Sequence, residues 1–204
     1  MTEEQVLRLF RIDDLRHLPE AIMSLLEGDI EKRDRTYREL IELNNYDMSF
    51  DWFSDIYETD LAQRKKNGQD FTPNSVARLC SLLTGMPEGV VHEPTAGNGS
   101  MLIADWWERS KLRLPWDHFP SRHMINCWEL SDRALPILLL NLSIRGMMGY
   151  VYHGDVLTQN LKAKYILLNR KDNTLAFSEI IKDVNNNLSI RRKDEIERNN
   201  TVMG

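Results

Sequence analysis

Long apolar runs, paired cysteines and a basic excess are all missing from this sequence, and each absence closes a class of function. No hydrophobic segment approaches the roughly 20 residues that a membrane-spanning helix needs. The start, Met1-Thr2-Glu3-Glu4, is acidic and lacks the basic residues and apolar centre of a secretory signal. The expectation is a cytoplasmic protein with no membrane partner. Cys80 and Cys127 lie far apart with no Cys-x-x-Cys pattern, which argues against a zinc site or a disulfide framework. Cys80 reads as a buried helix position, Cys127 as a strand position, and no metal ligands are expected. With 26 basic against 31 acidic residues, the net charge is −5. Proteins that live on the DNA backbone usually carry a basic face, because neutralised phosphates release counterions. The chain as a whole has no such excess, although a local basic patch is compatible with that balance.

What is present is an ordinary globular composition, 42% hydrophobic and 28% charged over 204 residues, enough for one domain with a helical extension. Residues 1–66 read as a helical N-terminal region. Val6, Leu7, Phe10, Leu15, Leu18, Ile22, Leu25 and Leu26 recur at three- and four-residue intervals. Gly28 stops that run and Asp29 is placed to cap the next helix, over 30–43. A third helix is predicted over Ser49 to Lys65, with Trp52, Phe53, Ile56, Tyr57 and Leu61 inward.

Residues 67–163 change character. Strands are predicted at Gly89–Glu93, Met124–Leu130 and Tyr150–His153, alternating with helices at Ser75–Leu83, Gly97–Arg109 and Ser131–Met147. Thr72 or Asn74 would cap the first of these helices. Strands alternating with helices of this length imply a parallel sheet with crossover connections. Over 164–204 the alternation stops. Tyr165–Leu168, Thr174–Phe177 and Leu188–Ile190, separated by turn-rich residues, suggest a C-terminal β-meander followed by a polar tail. The predicted fold is α/β, a partial Rossmann-type sheet between a helical region and a meander.

The segment richest in chemistry is Glu93-Pro94-Thr95-Ala96-Gly97-Asn98-Gly99-Ser100, between a strand and a helix, where a parallel sheet opens its ligand crevice. Gly97 and Gly99 permit a tight turn and leave space for a ligand, and the following helix offers free N–H groups. A carboxylate at Glu93 can receive the ammonium of a methionyl group. Glu129 ends the second strand, where it can accept both hydroxyls of a ribose. Asp155 follows the third, where it can accept from an adenine amine. Each acid alone reads as well as a solvated loop residue; three at successive strand ends point to S-adenosylmethionine. Upstream, Phe71 is either a ligand-facing ring or core, and Thr72-Pro73 either closes over a carboxylate or simply starts a helix.

Gln69-Asp70-Phe71-Thr72-Pro73, then Glu93-Pro94-Thr95-Ala96-Gly97-Asn98-Gly99, Glu129 and Gly154-Asp155, resemble the adenine-specific DNA methyltransferases over about residues 48 to 168. The similarity is nearest to the modification subunit of type I restriction-modification systems. The resemblance implies that Phe71, Thr72, Pro73, Glu93, Pro94, Ala96, Gly97 and Gly99 bind S-adenosylmethionine, together with Glu129 and Asp155. It further implies DNA and other restriction-modification subunits as partners, with a homo-oligomer as another arrangement.

The family's catalytic Asn/Asp-Pro-Pro-aromatic turn is not found. Asn169, after Lys164–Leu168, falls at the expected place as the candidate catalytic residue, but Arg170-Lys171-Asp172 replaces the prolines and ring. Without the ring an extruded base loses a stacking partner, worth about 1–3 kcal/mol. Only 36 residues follow Leu168. The chain alone is therefore not expected to methylate DNA. The alternative is a non-catalytic regulatory or anti-restriction protein that binds a methyltransferase partner. The aromatic and basic loop Leu112–His123 suits either nucleic acid or its own sheet, and Trp128 either an adenine ring or the interior.

Overall fold

In the computed structural model, residues 1–57, 72–85 and 88–183 are described. The N-terminal region is helical, as its periodicity predicts: α1 (Glu3–Phe10), α2 (Leu18–Leu26) and α3 (Ile30–Leu43). Thr2 and Gln5 form a reciprocal capping box on α1. Asp29 accepts from the Lys32 N–H at 2.8 Å and so starts α3. Of the helix expected over 49–65, the described residues hold one turn, Ser54–Ile56, and the remainder lies outside them. Phe71 also lies outside the described residues.

Helix α4 (Asn74–Leu83) leads to β1 (Val91–Glu93). Then follow α5 (Ser100–Lys111), β2 (Ile125–Glu129), α6 (Ala134–Ile144), β3 (Gly149–Asp155), β4 (Asn160–Leu168) and β5 (Glu179–Lys182). Pro73 precedes α4 without a side-chain cap, so neither Thr72 nor Asn74 performs the expected capping. The result is a mixed α/β fold whose one sheet among the described residues has the order β1-β2-β3-β4-β5. β1, β2 and β3 are parallel; β4 and β5 are antiparallel to their predecessors.

Two strand predictions need correction. β4 starts at Asn160, so the strand crosses the expected boundary between 163 and 164. Thr174–Phe177 is not a strand, because the Asn169 amide draws the carbonyls of Asn173 and Ala176 into a turn. Leu188–Ile190 lies outside the described residues.

The core explains the N-terminal region. All eleven residues of α6 are buried, the pattern of a helix apolar on every side. α6 joins Ile125, Cys127, Val151 and Leu167 of the sheet to Leu18, Ile22, Leu26, Tyr37 and Leu40 of the helical region in one hydrophobic cluster. At this contact, Tyr37 and Ser143 share a hydrogen bond of 2.6 Å between their buried hydroxyls. No helix of the described residues is long and apolar enough to cross a membrane.

Candidate cofactor site

The strand register sets the geometry of the three acids. Glu93 lies level with Cys127, and Glu129 with His153. Each strand therefore runs two residues beyond its neighbour, about 7 Å per step at strand rise. Glu93, Glu129 and Asp155 end β1, β2 and β3 as a staircase along the carboxyl rim of the parallel strands. The charges of Glu93 and Glu129 also reach Cys127. Burial first, and then those two carboxylates, push its thiol far above the ordinary range, so Cys127 is an unreactive strand residue.

The acids differ in what they already hold. Glu93 is half-buried and its Oε1 accepts from the Thr95 N–H at 3.1 Å. Glu129 is buried: Oε2 accepts from the Gly97 N–H and Oε1 from the Ser131 N–H, each at 2.7 Å. Burial raises its carboxyl pKa against the opposing pull of those bonds. A carboxylate has about four lone-pair positions. Glu129 thus retains acceptor capacity while bracing the glycine loop. Asp155 accepts from the Leu157 N–H at 2.9 Å and the Thr158 hydroxyl at 2.9 Å, closing the turn into β4.

Gly97 and Gly99 have φ of 56° and 96°, the left-handed region that favours glycine. A Cβ on Gly99 would stand 2.9 Å from Leu138 Cδ1. Gly99 therefore makes room for α6 rather than for a ligand, correcting that part of the expectation. Ala96 is buried and its N–H donates to the Trp128 carbonyl at 2.8 Å, tying the loop to β2. Thr72, Pro73 and Pro94 are exposed.

A polar network beneath the loop went unnoticed in the sequence. Asn141 Nδ2 donates to the Asn98 carbonyl at 2.9 Å and to Asp51 Oδ1 at 2.8 Å. Arg145, one turn further along, donates to the carbonyls of Met48 at 3.0 Å and Phe50 at 2.7 Å, and its guanidinium lies over the Trp52 ring. Burial lowers the Arg145 pKa to about 10 and raises that of Asp51. The segment before residue 57 is therefore fastened under the loop that Glu129 holds from above. An asparagine and an arginine one turn apart at the C-terminal end of a leucine-rich helix were the available signal, since such residues are seldom buried without partners.

Asn169 is not brought to this rim. β4 runs antiparallel to β3, and Leu167 pairs with Gly149, so Asn169 sits beside the start of β3 at the opposite end of the sheet. It is 2% exposed, and its Nδ2 donates to the carbonyls of Gly146, Asn173 and Ala176 at 2.8–3.0 Å. All its donor capacity serves this turn. Gly146, with φ of 67°, is needed there because a Cβ would meet the Ala176 carbonyl at 2.3 Å.

The loop 112–123 divides its residues. His118, His123 and Pro120 are buried, whereas Leu112, Leu114 and Trp116 are exposed. Trp128 is half-buried and stacks on Tyr152, with ring centroids 4.9 Å apart, on the sheet face opposite Glu129.

The N-6 DNA methylase family model matches residues 48–178, from the segment beneath the loop to the end of the Asn169 turn. The chain belongs to the N-6 DNA methylase family. The comparison with curated proteins found no match, and neither did that with solved structures. The matched region contains all three rim acids, the glycine loop and Asn169.

Proposed function

We propose that this N-6 DNA methylase chain holds S-adenosylmethionine on its glycine loop and three-acid rim, as the cofactor-binding part of a restriction-modification adenine methyltransferase. The staircase Glu93–Glu129–Asp155 carries the reading. Three acceptor-only side chains along one rim suit a ligand that offers donors: an ammonium, two ribose hydroxyls and an adenine amine. The acids fit that ligand because Glu93 and Asp155 face partly outward and Glu129 keeps lone pairs free of its two backbone bonds. Phe71, Thr72 and Pro73 would complete its methionyl side, with Pro94 and Ala96 shaping the loop. S-adenosylmethionine supplies an activated methyl group when bound; the chain's own residues bind and orient it.

Methyl transfer also needs acceptors aimed at the target amine. No Asn-Pro-Pro or Asp-Pro-Pro occurs in the sequence, and Asn169 spends its amide on a turn at the far rim. The chain is therefore read as inactive alone, cytoplasmic, and completed by another restriction-modification subunit when it acts on DNA. One observation favours a second reading, a regulatory or anti-restriction protein without cofactor. Each Glu129 oxygen already accepts a backbone N–H, Oε2 from Gly97 of the loop and Oε1 from Ser131, which is what a retained scaffold needs.

Thermal unfolding with and without S-adenosylmethionine, beside a methyl-transfer assay on adenine-containing duplex DNA, separates these readings. A ligand at 100 times its Kd adds about 2.7 kcal/mol. The proposal expects a clear rise in Tm and no transfer. An unchanged Tm at millimolar cofactor leaves the regulatory reading, and transfer by the chain alone refutes the claim of inactivity.

A further inference from the structure

Asn98 stands between Gly97 and Gly99 and is 1% exposed; Asp51, beneath the same loop, is 4% exposed. Among the described residues, Asn98 Oδ1, Asn98 Nδ2 and Asp51 Oδ2 are buried without a hydrogen-bond partner. Buried polar groups are ordinarily paired, so three idle atoms on two neighbouring residues point to a contact that the loop makes and breaks.

The groups around them are already spent. Asp51 Oδ1 accepts from the Phe53 N–H at 2.9 Å and from Asn141 Nδ2 at 2.8 Å. Asn141 gives its other N–H to the Asn98 carbonyl at 2.9 Å, and its Oδ1 accepts from Arg145 Nη1 at 3.2 Å. What remains is one carboxylate acceptor, Asp51 Oδ2, beside an amide with two donors to give. Burial raises the Asp51 pKa, and Phe53, Asn141, Arg145 and Asn98 oppose the rise, so the Asn98 amide lies within reach of the carboxylate.

We propose that Asp51 is a positioning residue for the glycine loop, its Oδ2 taking the Asn98 amide and so fixing the loop from the segment that precedes residue 57. Gly97 and Gly99 have no side chains, which leaves Asn98 as the handle between them. Glu129 grips the loop separately, through the Gly97 N–H at 2.7 Å. A loop that is not pinned samples other conformations, and a ligand that needs one of them binds more weakly in proportion. An Asn98 side chain without this role would be a buried, unpaired amide, and removing it would cost the protein nothing.

Two variants test the link. Asn98→Ala removes the amide and leaves the Asn98 carbonyl on Asn141 and both bonds to Asp51 Oδ1 in place. Asp51→Asn keeps the shape and removes the carboxylate. Without cofactor, hydrogen exchange at the Gly97 and Gly99 amides should quicken at least about fivefold in each, while the amides of β2 and β3 keep their wild-type rates. A purely structural role would quicken the sheet amides as well. In calorimetric titration, S-adenosylmethionine affinity should fall at least about fivefold in each variant, and the double variant should bind no more weakly than the weaker single one. If Asp51→Asn does not fold, Asn98→Ala alone gives the reading. The affinity arm rests on the cofactor reading and the exchange arm does not. A wild type that binds no cofactor, with loop exchange quickened in the variants, refutes that reading and supports the Asp51–Asn98 link. Unchanged loop exchange overturns the proposal whatever the titration gives. Quickened exchange with unchanged affinity, or fully additive losses in the double variant, overturns it as well.

Discussion

At the carboxyl rim of β1–β3 the polar side chains are acids with acceptor capacity to spare, each on its own strand end. At the opposite rim the Asn169 amide has its donors committed to three carbonyls from two separate segments. The first arrangement is incompletely satisfied, which is what the proposed ligand site requires; the second holds a turn because it is fully satisfied. The difference shows why a residue type at an expected position is weak grounds for a role. Asn169 is the right amino acid after a strand, but the strand runs in the other direction.

The largest effect expected from breaking this contrast is at the structural rim. Asn169→Ala removes the amide and strands buried carbonyls, each costing about 1 kcal/mol or more. A loss of about 3 kcal/mol in urea unfolding is expected, with the cofactor affinity of the folded protein unchanged. A catalytic Asn169 would behave otherwise, leaving stability nearly intact.

Glu129→Ala is next. It should weaken S-adenosylmethionine binding at least about tenfold, roughly 1.4 kcal/mol, in calorimetric titration. Unchanged affinity would remove Glu129 from the ribose and leave it as the brace between Gly97 and Ser131.

A smaller effect concerns the buried histidines of the 112–123 loop. Burial first, then the charges of His123, Arg113 and Arg109, hold the His118 pKa down at about 4, against 6.5 ordinarily. A histidine depressed in the fold binds its proton more readily when unfolded. Its stabilisation is therefore full above pH 6.5 and is lost as pH falls towards about 4. His118→Gln should flatten the decline of stability across that window by ~2 kcal/mol, measured by denaturation at several pH values. Glu129 and Asp51, whose carboxyls are raised, act in the opposite sense. The histidine variant is therefore compared with wild type at each pH.

Much of the parallel half was legible in the sequence, because apolar periodicity, Asp29 and the glycine loop each act locally. The acid staircase could be anticipated from strand ends alone. The antiparallel half was harder to read. β3 and β4 are joined by residues 156–159, with Gln159 at φ 56° where no glycine or asparagine advertises a turn. The first residues of β4, Asn160-Leu161-Lys162-Ala163, are poor strand formers recruited by pairing with β3. The partners of Asn169, at 146, 173 and 176, are brought together only by the finished fold.

The most direct test of the cofactor rim is calorimetric titration of the wild-type chain with S-adenosylmethionine. Saturable binding in the micromolar range, about −8 kcal/mol, is the predicted result. No heat of binding up to millimolar cofactor would contradict the account and leave the staircase of acids as a relic of the family fold.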